Sequence, residues 1–253
     1  MVILITRATR QKLAVLGGLF LIALLVRPWL GVVSRQLAVS GRLKPLYRVS
    51  TTENKIALTF DISWGEVTPP LVLNVLKEHG VRATFFLSGP WAATHPDLVR
   101  RIVADGHEVG SHGYRHDNLS QLSESQIAEN IEKAHRVLKD LVGYEPRFLR
   151  PPNGDFDDRV IEVALERGYT VVIWSLDSLD WKNPGLDYMI KKVLGKVQKG
   201  DIILFHASDT AKQTHLVLPA ILQGLREKGL VSVPLSELLQ SSGVAKPRPS
   251  GPQ

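Results

Sequence analysis

Residues 57–66 read ALTFDISWGE, an apolar, β-prone run that ends on a single acid, Asp61, with an aliphatic residue, Ile62, directly after it. A short continuous apolar run closed by turn residues suits a strand covered on both faces, as in a parallel sheet. The same design recurs along the chain. IALTF, ATFFLSG, EVGSH, RFLRPP, TVVIWSLD, DIILFH and VSVPL are strand-like, and between them lie PPLVLNVLKEHG, DLVRRIVADG, SESQIAENIEKAHRVLKDLVG, DRVIEVALERG, YMIKKVLGKVQKG and HLVLPAILQGLREKG, each with apolar residues at helical spacing. This alternation predicts repeated β/α units, and hence an α/β fold: a distorted (β/α) barrel with about seven parallel strands. Helix ends agree, with Ser123 and Gln126 at capping-box spacing and glycines 80, 106, 143, 168 and 229 where helices should stop.

The chain has 253 residues, 44% hydrophobic and 22% charged, enough for one catalytic-sized domain with attachments. Cysteine is absent, so disulfides and thiolate metal sites are excluded and any metal must take nitrogen or oxygen ligands. The net charge of +6 comes without a recognition motif, so no nucleic-acid partner is expected. Leu13 to Val26 carries no charge, and the apolar run continues through Arg27 to Val33, preceded by Arg7, Arg10 and Lys12. That pattern predicts a basic cytoplasmic N-terminus at 1–12 and an uncleaved transmembrane signal-anchor helix at 13–33. A juxtamembrane linker or first small strand follows at 34–52, then the folded domain at 53–240 and a disordered tail at 241–253. The domain is thereby placed outside the cytoplasm on a single-pass membrane anchor.

In a parallel β/α barrel, working groups collect at the carboxyl ends of strands. Polar residues fall there repeatedly: Asp61, the pair His112 and His116, Arg150, Asp177 and Asp180, and His206. Singly, each has a plainer reading: a turn acid, a surface histidine pair or a satisfied core histidine. Five such endings are hard to attribute to capping alone. His112 and His116 lie four apart, which on a helical turn or tight loop turns two imidazoles toward one ion.

These stretches resemble the polysaccharide deacetylase family, carbohydrate esterase family four, with its NodB homology domain. TFDI is similar to that family's TFDD, SHGYRH to H-(S/T)-x3-H, RPPNG to RxPYG, DSLDW to DxxDW, and LFH to LxH. The resemblance implies hydrolysis of acetyl groups on sugars with a divalent metal, usually zinc. His112 and His116 match metal ligands, Asp61 the base and His206 the acid. Arg150 matches the residue that orients the base, Asp180 the one that tunes the acid, and Leu204 an apolar lining. Asn153 stands where the family prefers tyrosine and still offers its backbone N–H to an oxyanion. Trp64 and Trp181 are candidates for stacking on sugar faces, with packing at the barrel rim as the alternative. In such chemistry a zinc ion lowers the pKa of bound water to about 7 and polarises the carbonyl. The implied partner is a cell-wall glycan, peptidoglycan or a related acetylated polysaccharide. TFDISWG also resembles a sporulation-associated, membrane-anchored subgroup.

Ile62 stands where the family's metal-binding aspartate belongs. Zinc sites that catalyse generally keep three protein ligands and an open position, so this set is one short. The residues leave open a weak metal site, a substitute ligand from Asp61 or Glu66, or a catalytically silent glycan-binding relative.

Overall fold

The computed structural model describes residues 44–242. The expected signal-anchor at 13–33, its flanks and the tail from residue 243 lie outside the described residues. Among those described, no helix is long and apolar enough to cross a membrane.

Seven parallel strands form one continuous path: β1 (Lys55–Ile62), β2 (Thr84–Leu87), β3 (Glu108–Ser111), β4 (Phe148–Leu149), β5 (Thr170–Val171), β6 (Leu176–Asp177) and β7 (Ile202–His206), in the order β5-β4-β3-β2-β1-β7-β6. A short β8 (Val231–Ser232) pairs with the start of β1. The helices are α1 (Thr68–Glu78), α2 (Gly89–Thr94), α3 (Pro96–Ala104), α4 (Glu124–Val142), α5 (Asp158–Glu166), α6 (Leu186–Leu194), α7 (Thr214–Glu227) and α8 (Leu235–Gln240). The capping box forms as the sequence suggests: the Gln126 amide donates to Ser123 Oγ, and the Ser123 amide donates to Gln126 Oε1 at 2.9 Å.

Strand parity explains how the sheet is covered. Leu58, Phe60 and Ile62 join the large apolar cluster that includes α1 and α7 side chains, whereas Ala57 joins a smaller cluster with Val49, Val172 and Ile202, reached by Leu235 and Leu238 of α8. Thr59 and Asp61 follow Ala57 on that second face. The inner face is therefore apolar at the amino end of β1 and polar at the carboxyl end, where a site can open.

One expectation needs correction, and another carries two alternatives. TVVIWSLD is not one strand: β5 pairs with β4, β6 pairs with β7, and β5 and β6 are not paired with each other. Of the segment read as a linker or first small strand, Leu46 and Arg48 bridge to Val172 and Asp201 in the manner of a short strand. The Leu46 amide donates to Val171 O at 2.8 Å, the Ile173 amide to Leu46 O at 2.9 Å, and the Val49 amide to Gly200 O at 2.9 Å. Arg48 pairs with the buried Asp201 at 2.6 Å. Starting the chain at Glu53 would remove the bonds at the end of β5 and at Gly200, just before β7. Burying Val49 contributes about 2 kcal/mol and each lost hydrogen bond about 1 kcal/mol, so that truncation lowers unfolding free energy by at least ~3 kcal/mol, read from urea midpoints.

His107 opens the approach to β3 and is nearly fully buried. Its Nδ1 accepts the Ala83 amide at 3.2 Å, its ring lies 5.1 Å from Phe85, and burial pushes its pKa down to about 4. The unfolded chain takes up a proton near pH 6.5 that the folded chain refuses until about 4. The contribution is therefore full above pH 6.5 and shrinks as pH falls toward 4, by up to roughly 3 kcal/mol. Denaturant midpoints taken between these pH values show this slope, and His107→Leu reduces it, leaving the part due to His112.

Candidate active site

Asp61 and His206 stand directly opposite each other in the β1–β7 register, at the carboxyl ends of both strands. Each is held by a separate buried partner. Arg150, just after β4, donates Nη1 to Asp61 Oδ1 at 2.8 Å and to Thr59 Oγ1 at 2.9 Å, and Nη2 to Ile173 O at 3.0 Å. Its guanidinium lies 4.2 Å from the centre of the Phe86 ring. Burial pushes Asp61 up, but Arg150, His112 and His206 outweigh it and hold the carboxyl below its usual range. Asp61 is an anion at neutral pH.

Asp180 lies in the 3₁₀ turn Asp180–Lys182 and is fully buried. Its Oδ1 accepts His206 Nδ1 at 2.8 Å, and its Oδ2 accepts the His206 amide at 2.6 Å and Thr214 Oγ1 at 2.7 Å. Burial pushes His206 down, yet Asp180 outweighs it and the pKa is raised. With Nδ1 engaged, Nε2 is the ring position left for another group.

His112 and His116 lie on the loop after β3. Asn130 of α4 holds this loop, accepting the Tyr114 amide at 2.6 Å and donating to Arg115 O at 3.4 Å. A Cβ at Gly113, where φ is +73°, would stand 2.7 Å from Asn130 Oδ1, so this turn requires glycine. His112 Nδ1 donates to Arg150 O at 2.8 Å, which leaves Nε2 as a lone pair 3.7 Å from Asp61 Oδ2. Burial pushes His112 down to about 4 and lowers His116 as well, so both rings are neutral at pH 7. Their centroids are 5.3 Å apart.

Asp61, His112, His116 and His206 share a cavity of about 380 Å³, lined also by Trp64, Asn153, Trp174, Asp177, Trp181, Leu204, Ser208 and Thr210, with Arg150 and Asp180 behind its wall. Trp64 and Trp181 are 43% and 48% exposed, enough to leave a ring face or edge for a ligand. Asn153 has φ +58° and donates its side-chain amide to Asn118 Oδ1. Asp177 lines the cavity but spends Oδ1 on the Leu179 amide at 2.7 Å, a turn acid as well as a wall. Sequence reading missed Thr59, Trp174 and Thr214. Thr59 was findable from its parity with Asp61; Thr214 carries no local signal.

Ile62 does not line this cavity. It is fully buried in the large apolar cluster, paired with Leu87, while its carbonyl accepts the Ser88 amide at 3.0 Å. Glu66 is no substitute, since its carboxylate faces His95 at 3.7 Å and is not part of the lining. Among the described residues no three histidine, aspartate or glutamate side chains gather in metal-binding geometry. The donor set therefore does not fit a three-ligand zinc site.

Residues 48–172 match the family model described as Polysaccharide deacetylase. A peptidoglycan-N-acetylglucosamine deacetylase of Bacillus cereus is 37% identical over 203 residues, covering 79% of this chain and 74% of the relative. The chain belongs to the polysaccharide deacetylase family. The family's deacetylases are hydrolases of carbon–nitrogen bonds. A second relative, the uncharacterized protein YlxY of Bacillus subtilis, is 30% identical over 203 residues, and the alignment covers 80% of this chain but only 63% of YlxY. Among solved structures, wild-type BA3943 of Bacillus anthracis, described as a CE4 family pseudoenzyme, matches with TM-score 0.74 at 32% identity, covering 78% of this chain and 69% of BA3943. A BA3943 mutant with restored enzymatic activity matches equally well, with TM-score 0.74 and 33% identity over 78% of this chain and 71% of the mutant.

Proposed function

We propose that this polysaccharide deacetylase family member hydrolyses N-acetyl groups of peptidoglycan amino sugars during cell-wall or spore-wall modification. The apolar segment 13–33 tethers it, with the domain outside the cytoplasm. One observation carries the reading: a charged carboxylate oriented by Arg150 and a histidine oriented by Asp180 meet in register at the floor of a single cavity. A scaffold has no need of two separately tuned proton carriers at one level.

Asp61 keeps Oδ2 free of Arg150 and takes the proton of a water attacking the acetyl carbonyl. The Asn153 backbone N–H donates to the developing oxyanion. His206, protonated and steadied by Asp180, gives a proton from Nε2 to the leaving amine. Leu204 forms an apolar wall beside the acetyl methyl, and Trp64 and Trp181 stack on sugar rings at the mouth. A divalent metal, zinc by family habit, would find two protein ligands here, His112 and His116, and be held weakly.

A second reading, a glycan-binding relative without turnover, is favoured by the burial of Ile62 in the core and by the likeness to BA3943. Acetate release from N-acetylated peptidoglycan, with matching appearance of free glucosamine amines, separates the two. The first reading predicts both products; glycan that is bound and returned unchanged supports the second.

A further inference from the structure

The loop from Ser63 to Val67, between β1 and α1, is stitched to the loop after β7. The Ser63 amide donates to Ser208 Oγ at 3.2 Å, and Trp64 Nε1 donates to Thr210 Oγ1 at 3.2 Å. The Asp209 carboxylate accepts three consecutive amides: Glu66 at 3.1 Å, Val67 at 3.0 Å and Thr68 at 2.8 Å. Among the described residues no cation pairs with Asp209 within salt-bridge distance, so these amides and the amino end of the eleven-residue α1 are what balance its charge. Burial pushes Asp209 up, but the amide bonds outweigh it and hold the carboxyl below its usual range. The loop closes onto Asp209 only because position 65 is glycine: φ there is +87°, and a Cβ would fall 2.2 Å from Asp209 Cγ.

Trp64 is held in place by this arrangement. From Thr210 its ring stands 5.4 Å from His116, edge to face, and forms one wall of the cavity. Thr210 also reaches the opposite wall, since its carbonyl accepts Asn183 Nδ2 at 2.8 Å just beyond the turn that carries Trp181. Lys212 continues the link, its amide donating to Asn183 Oδ1 at 2.9 Å. The two exposed tryptophans are thus fixed relative to one another through Asp209 and Thr210.

We propose that Asp209 is a positioning residue that, by clamping the amides of 66–68, sets Trp64 against His116 and fixes the width of the cavity mouth, and so determines how a glycan chain is gripped. Glycan grip rests on the deacetylase-family reading above; the placement of Trp64 does not. A carboxylate is needed because Oδ1 takes the Val67 and Thr68 amides and Oδ2 the Glu66 amide; asparagine has one acceptor oxygen and would turn its NH₂ toward at least one of these donors.

The test uses the full 253-residue chain labelled with ¹⁵N-tryptophan, with Trp64→Phe to assign the Trp64 indole resonance. Asp209→Asn and Thr210→Val are compared with wild type, the second breaking only the indole bond and sparing the amide clamp. Both variants are expected to shift the Trp64 resonance, and both raise KM on N-acetylated chitooligosaccharide about tenfold with a much smaller change in kcat. An unmoved resonance in Asp209→Asn overturns the proposal, as does a shift with unchanged KM in an active protein. Should wild type bind the oligosaccharide without turnover, Kd replaces KM and the same tenfold weakening is expected. Should it neither turn over nor bind, the proposed function fails on this substrate, and the resonance alone decides whether Asp209 positions Trp64.

Discussion

His206→Ala lowers acetate release by about 10²–10⁴-fold while leaving the fold in place. The side chain is at the cavity floor rather than in the apolar clusters, so its loss removes an acid without opening the core. Hydrolysis of an amide stalls when the leaving nitrogen departs unprotonated, and His206 is the group with a raised pKa at that position. The companion change, Asp180→Asn, separates orientation from charge. Asp180 holds His206 protonated to higher pH, so losing its charge moves the alkaline limb of the rate profile to lower pH. The same pairing affects stability in a defined sense. Because the folded pKa of His206 is raised, its contribution is complete below the unfolded value of 6.5 and is lost as pH climbs through the folded one. A pH–rate profile of both variants, with thermal melts alongside, checks these outcomes.

Arg150→Met has the largest expected effect on stability. Arg150 heads the large, fully buried side chains, and its charge faces one carboxylate, Asp61, at 2.8 Å. Removing one partner of a buried ion pair leaves the other uncompensated, which costs roughly 3–5 kcal/mol. The sign for Asp61 follows. Its depressed pKa contributes stability above the unfolded value of 3.8, lost as pH falls through the folded value. Without Arg150 the largest part of that contribution goes, and burial, opposed only by His112 and His206, pushes the carboxyl up. Adding Asp61→Asn to Arg150→Met should recover part of the loss, since the orphaned charge is then gone. Urea titrations of the two single variants and the double variant measure the coupling.

The strand-end rule made much of the site legible in the sequence. Asp61, His112, Arg150, Asp180 and His206 each follow an apolar run, and the structure gathers all of them around one cavity or its supporting bonds. What the sequence hid was pairing between distant segments. Nothing local in TVVIWSLD shows that its first half pairs with β4 and its second with β7, or that Leu46, more than a hundred residues earlier, bonds to Val171 and Ile173 at the end of β5. Likewise Thr214 and Asp209 act from residues far from their targets, through a buried carboxylate and through loop amides. Ile62 reads in the sequence as a missing ligand, and the sequence alone does not show that its side chain packs in the apolar core.

The comparison of wild type with Ile62→Asp, in bound metal and in acetate release from N-acetylated peptidoglycan with zinc supplied, bears most directly on this account. The account predicts acetate from the wild type with little metal retained, and no gain in metal or acetate from the variant, whose carboxylate replaces a side chain buried in the apolar cluster away from the cavity. Glycan bound by the wild type without acetate, together with acetate released once Ile62→Asp is made, would contradict it and leave the natural protein a binder built on a deacetylase frame.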